Sequence, residues 1–230
     1  MRSRKYQLIG VLLLYVIGLA ASLWDALSGH YLLISVVLIV TAMVPFYIRL
    51  ERKPPDTREL VLVASMAALA AASRIPFASI PSIKPTSFII IVSSMVFGSE
   101  AGFFIGATAA LVSNMFFGQG PWTPWQMFGW GMMGFTAGLM RHTYLMSLKW
   151  GRAVFGFVWG FLFGWIMNLT YLLGYMSGIS WSTWIAVTAS SFYFDLAHAL
   201  SNVLFLTLFG SMWIRILQRY QVKYGLGLRK

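Results

Sequence analysis

Apolar runs long enough to cross a lipid bilayer recur along the whole sequence. As a helix, a run of about 17 to 25 residues spans a hydrocarbon core of roughly 30 Å, and apart from a closed barrel only a helix satisfies its own backbone there. Apolar length and punctuation predict eight spans, at 7–25, 31–49, 58–75, 86–98, 101–117, 124–140, 152–176 and 182–212, the fourth being short. A soluble fold is excluded by composition. With 59% apolar and 10% charged residues in a chain of 230, there is more apolar side chain than a soluble domain can hide. The expected class is therefore all-α, a polytopic membrane helix bundle.

The net charge of +11 is topological rather than a nucleic-acid signal. If the N-terminus is cytoplasmic, all Lys and Arg except Arg74 and Lys84 fall in inner segments, the bias that sets orientation in membranes. That arrangement needs an even number of spans and puts both termini in the cytoplasm. Anionic membrane lipid is the expected partner of the basic face, and no nucleic acid is expected. Cysteine is absent, which removes disulfides and thiolate metal sites.

"RLERKPPDTREL" joins the second span to the third, and its charges and Pro54-Pro55 mark a cytoplasmic linker. Residues 1–57 are thus expected to form a two-helix transmembrane extension, and residues 58–230 a six-helix body. A signal peptide over residues 1–22 is the alternative for the N-terminus, although that apolar run is long for one. No internal repeat of 20 to 50 residues is visible.

Small residues at four-residue spacing mark faces that other helices can approach closely. Ala64, Ala68 and Ala72 form one such stripe, beside Ala67 and Ala71; Gly102, Gly106 and Ala110 form a second, and Gly156, Gly160 and Gly164 a third. Bundle packing accounts for the glycine stripes. The alanine stripe is open to either bundle packing or contact with a second protein.

Three outer connections are rich in proline and aromatic residues. "GQGPWTPWQM" presents Gln119, Trp122, Trp125 and Gln126, and its Thr123, Pro124 and Gln126 read as a capping box opening the sixth span. "SRIPFASIPSIKPTSF" carries Arg74 and Lys84, placed either to attract an acidic ligand group or to anchor helix ends at the interface. "YLLGYMSGISWSTW" adds Tyr171, Tyr175, Trp181 and Trp184. Together these connections are expected to roof a concave site for a small molecule.

The last span holds the ionisable stripe at membrane depth: Ser191, Asp195, His198 and Asn202 lie on one helical face. A carboxylate at mid-span costs about 3 kcal/mol on insertion scales, so Asp195 should have a partner, His198 being the simplest, with Asn114 or Asn168 joining from other spans. The stripe is either a structural network or a proton relay. An enzyme is not expected: H-E-x-x-H, G-x-S-x-G and a phosphate-binding Gly-rich loop are all missing, and nothing implies a metal or other cofactor. The sequon "NLT" at 168–170 falls inside a span.

The Ala64–Ala68–Ala72 face, "KPTSFIIIVSSMVFGSEAGFFIGATAALVSN", "FFGQGPWTPWQMFGWGMMGFTAGL" and "FDLAHALSN" together resemble the substrate-binding S components of energy-coupling factor (ECF) transporters, six-span vitamin-uptake proteins of prokaryotic cell membranes. The resemblance runs from about Glu59 to the C-terminus, and the members it most resembles are cobalamin-type. It implies that Ala64, Ala68 and Ala72 dock on a membrane-embedded T component energised by two ATPases. It also implies that the outer connections and the ends of the last three spans, Asn168 among them, form a vitamin pocket. The two N-terminal spans depart from the family pattern. An ion-coupled carrier using Asp195 and His198 stays open as the alternative.

Overall fold

A computed structural model describes residues 31–52, 57–175 and 180–224. The expected first span, 7–25, the signal-peptide alternative and the Pro54-Pro55 linker lie outside the described residues. Eight helices follow: α1 Tyr31–Arg52, α2 Thr57–Ala72, α3 Thr86–Phe97, α4 Ser99–Phe117, α5 Thr123–Met140, α6 Tyr144–Ser147, α7 Lys149–Tyr175 and α8 Trp181–Lys223. No strand occurs among the described residues. The chain is an all-α bundle, and α4, α7 and α8 are each long and apolar enough to cross a membrane.

Two helix pairs are zipped by glycine. In α4, a Cβ on Gly102 would overlap the backbone oxygen of Gly134 in α5, and one on Gly106 would overlap the backbone at Trp130; Gly138 meets the chain at Gly98 and Ser99 in the same way. In the second pair, Gly156 meets Leu206 and Asn202, Gly160 meets Ala199, and Gly164 meets Asp195. Such antiparallel seams bring backbones close enough for van der Waals packing to hold helices together where lipid offers no hydrophobic gain.

The short α3 is the core of the molecule. Its 12 residues rise only about 18 Å, too little to span the bilayer alone. It need not, because α2, α4, α5 and α8 surround it. Ile90, Ile91 and Val92 are fully buried. Gly98, at φ +98°, breaks α3 from α4 in a conformation that a side chain would strain. There Arg141 and Gln221 donate to the Val96 carbonyl, at 3.3 and 3.4 Å, so the C-terminal parts of α5 and α8 gather at the α3–α4 corner.

Three boundaries differ from those expected. First, α8 continues eleven residues beyond 212, because Trp213 and Ile214 extend the inward apolar face and Leu217 keeps it after the basic residues begin at Arg215. At 43 residues, about 65 Å, it outruns the hydrocarbon core. Second, α6 forms in the inner connection, capped by Thr143, whose hydroxyl accepts from the Met146 amide. Third, the capping box at Thr123 does not form: Trp122 occupies the cap position without a side-chain bond, since the Thr123 hydroxyl is engaged by Gln119 and Asn114. A capping box does open α8, where Ser180 and Thr183 exchange side-chain-to-backbone bonds.

The helix α1 packs on the body. Phe46 stacks on Phe103 at 3.8 Å and meets Phe135 edge-on, and Met43 shares a small core with Phe103, Phe104 and Ala107.

Candidate ligand site and coupling face

The α2–α3 connection, the end of α4 and the start of α5 meet at the end of the bundle opposite the Val96 corner. Arg74, two residues past the end of α2, turns inward instead of snorkelling and is only 7% exposed. Its Nη1 donates to the Ser113 hydroxyl and, at 3.0 Å, to Oδ1 of the Asn114 side chain. The Asn114 amide in turn donates to Gln126 at 2.7 Å and to Thr123 at 3.2 Å, and Thr123 donates to Gln119 at 2.9 Å. Gln119 also donates to the Leu111 carbonyl. The two glutamine side chains thus tie the α4–α5 connection together.

Aromatic faces complete this cluster. The guanidinium of Arg74 lies 4.5 Å from the ring centre of Phe117 and 5.1 Å from that of Trp130. The Lys84 ammonium approaches the same Phe117 ring at 5.3 Å. Burial lowers the Arg74 pKa to about 10. Lys84 is lowered as well, first by burial and then by the Arg74 charge. Backbone bonds between Lys84 and the Ser201 hydroxyl fix the connection to α8. Trp130 stacks on Phe163, which meets His198 edge-on, so the aromatic column runs from the cationic pair into the bundle.

The intramembrane stripe divides between two partners. Asp195 accepts from Ser191 at 2.9 Å, and Ser191 accepts from Asn168 at 2.8 Å. His198 instead meets Ser87 of α3 at 2.7 Å. No hydrogen bond joins Asp195 to His198 among the described residues, and Asn114 belongs to the outer cluster. Asn202 donates to the Gly156 carbonyl, supporting the α7–α8 seam.

Trp125 is buried, Trp122 is partly exposed against Gly120, and Trp184 is half-buried. Tyr171 and Trp181 project outward, Trp181 being 79% exposed. The Tyr175 side chain lies outside the described residues. Ser87, Ser113, Thr123, Phe117, Trp130 and Phe163 were not anticipated as site residues; of these only Ser113, next to Asn114 in "LVSN", carried a local polar signal. No group of three potential metal ligands occurs among the described residues.

On the flank of α2, Ala64, Ala68 and Ala72 are exposed, while Ala67, Ala70 and Ala71 are buried against the bundle. Small side chains thus form a shallow face, bordered by the exposed Leu60, Val61 and Leu69.

Residues 55–212 match the family model described as "ECF-type riboflavin transporter, S component". No curated protein and no solved structure matches the chain.

Proposed function

We propose a role on one premise: the chain belongs to the family of ECF transporter S components, substrate-specific vitamin-uptake subunits of the cell membrane that are not themselves catalysts. In this reading the chain captures a vitamin at the end of the bundle that holds Arg74, Lys84 and the α4–α5 connection. It then topples to deliver that vitamin inward against a T component powered by two ATPases. Ala64, Ala68 and Ala72 are the docking face, both termini are cytoplasmic, and residues 1–57 form an extension outside the six-helix body. The observation that carries the reading is the alanine flank, which lies within the matched region and is exposed among the described residues. Close approach along small residues is how membrane helices associate.

The family description makes riboflavin the first ligand to test, and the cobalamin-type resemblance makes cobalamin the second. Mass spectrometry of small molecules carried through purification identifies the ligand, and titration in detergent measures it. A chain that retains no vitamin and binds neither compound would refute the reading. Uptake that follows a pH gradient without ATPase partners would instead support the ion-coupled alternative, which no contact between Asp195 and His198 favours.

A further inference from the structure

We infer that Arg74 and Lys84 together hold an anionic group of the ligand, a carboxylate or a phosphate. The inference rests on the proposed binding role and adds the chemistry the ligand must bring.

Two cations converge on one ring, Phe117, each repelling the other. Among the described residues Arg74 hydrogen-bonds only to the neutral Ser113 and Asn114, and no described carboxylate is paired with either cation. Asp195 is held by Ser191. Burying charge without a partner is costly, and ring faces recover only part of the lost hydration.

The unused hydrogen-bonding capacity here is all of one kind. Arg74 Nε is buried without an acceptor, and so is the indole N–H of Trp130, whose ring lies against the guanidinium. Buried donors are rarely left unpaired in a native structure. A carboxylate or phosphate supplies the missing acceptors and the missing charge at once, and Arg with a second cation is a strong receptor for either. The four backbone and side-chain bonds that fix Asn114, Thr123, Gln119 and Lys84 hold the receptor in place before the ligand arrives.

Matched vitamins that differ in one anionic group test the inference on the purified full-length chain in neutral detergent: riboflavin and riboflavin 5′-phosphate, nicotinamide and nicotinate, pantothenol and pantothenate, biotinamide and biotin. In whichever pair binds, the anionic member should bind at least about tenfold more tightly. Lys84→Gln should cut that preference about tenfold and Lys84→Arg should keep it, whereas Lys149→Gln, at the opposite end of the bundle, should leave binding unchanged. Among the described residues the Lys84 side chain makes no hydrogen bond, so its variants should fold even where Arg74→Gln does not. A neutral member that binds as tightly as its acid overturns the inference and leaves the binding role standing. Binding of no member of any pair overturns the inference, and it overturns the binding role too where cobalamin does not bind and no vitamin is carried through purification. Repeating the titrations with phosphatidylglycerol separates the sources: competition by the lipid, with no preference within the soluble pairs, would assign the site to a headgroup and overturn the ligand assignment.

Discussion

Gly164 of α7 lies against the carboxylate of Asp195 in α8, with no room for even a methyl group between them. The mid-helix acid of α8 is therefore seated in a notch cut by a glycine. Gly164→Ala should gain about 0.5–1 kcal/mol of helix propensity but lose about 1–3 kcal/mol to overpacking and to displacement of the Ser191 bond. The expected net result is a lower melting temperature in detergent. Gly210→Ala is the control: its nearest side-chain atom is 4.0 Å from the new carbon, so propensity should prevail and stability hold or rise.

Asp195 accepts from Ser191, which accepts from Asn168, and a neutral amide can take over the accepting role. Asp195→Asn should therefore melt within about 1 kcal/mol of the parent and keep ATP-driven uptake, whereas Asp195→Leu, which leaves the Ser191 hydroxyl the Thr188 carbonyl at 3.2 Å as its acceptor and opens a poorly filled notch at Gly164, should lose about 1–3 kcal/mol. Uptake abolished in a well-folded Asp195→Asn protein would turn the stripe back into a functional element.

These pairings show where the sequence stops being readable. Gly156, Gly160 and Gly164 announce a close-packed stripe by spacing alone, but nothing local says that the mate is Asp195, Ala199 and Asn202 rather than α4. Hydropathy placed a helix at each of the seven expected spans among the described residues and ended α8 too early, because a window average falls once Arg215 and Arg219 enter even though Leu217 still faces the core. Arg74 and Lys84 were legible as the two basic residues of the α2–α3 connection. The inward turn of Arg74 was not, since it depends on Ser113 and Asn114 some forty residues away. At Thr123 the capping pattern was present, but tertiary partners captured the hydroxyl. The family resemblance survived all this because it rests on long stretches rather than single contacts.

The alternation along α2 separates coupling from folding. Ala68 is exposed and Ala67 is buried. Ala68→Trp should leave ligand affinity and melting temperature unchanged and abolish ATP-driven uptake in cells that supply the energising subunits, because an indole blocks close helix approach. Ala67→Trp should instead destabilise the bundle by about 1–3 kcal/mol or more. Uptake that continues at the parental rate in Ala68→Trp would remove the alanine face from the mechanism.

The cationic pair should leave a pH signature in the ligand-free protein. Arg74 is lowered to about 10 and Lys84 is lowered by burial and by Arg74, so between the lowered and the ordinary values the unfolded chain binds more protons. Stability should rise with pH across that window, and the penalty should be fully present below it. Lys84→Gln, free of its share of the penalty, should melt higher than the parent near neutral pH and lose that advantage as pH rises toward about 10. Thermal melts between about pH 7 and 10.5 check the sign.

The extension of α8 past the membrane is held by packing as well as by helix propensity. Leu217 is only 4% exposed and joins the main core with Trp213 and Ile214, while Gln221 reaches the Val96 carbonyl at the α3–α4 corner. Leu217→Ala should cost about 2–5 kcal/mol, and Tyr220→Ala, on the exposed side, under about 0.5 kcal/mol. Removing the chain after Met212 takes away Leu217 and the Gln221 bond together, so the truncated protein should melt at least as early as Leu217→Ala. If the truncated protein and Leu217→Ala both melt with the parent, the extension is an appendage and the corner at Gly98 is secured by Arg141 alone.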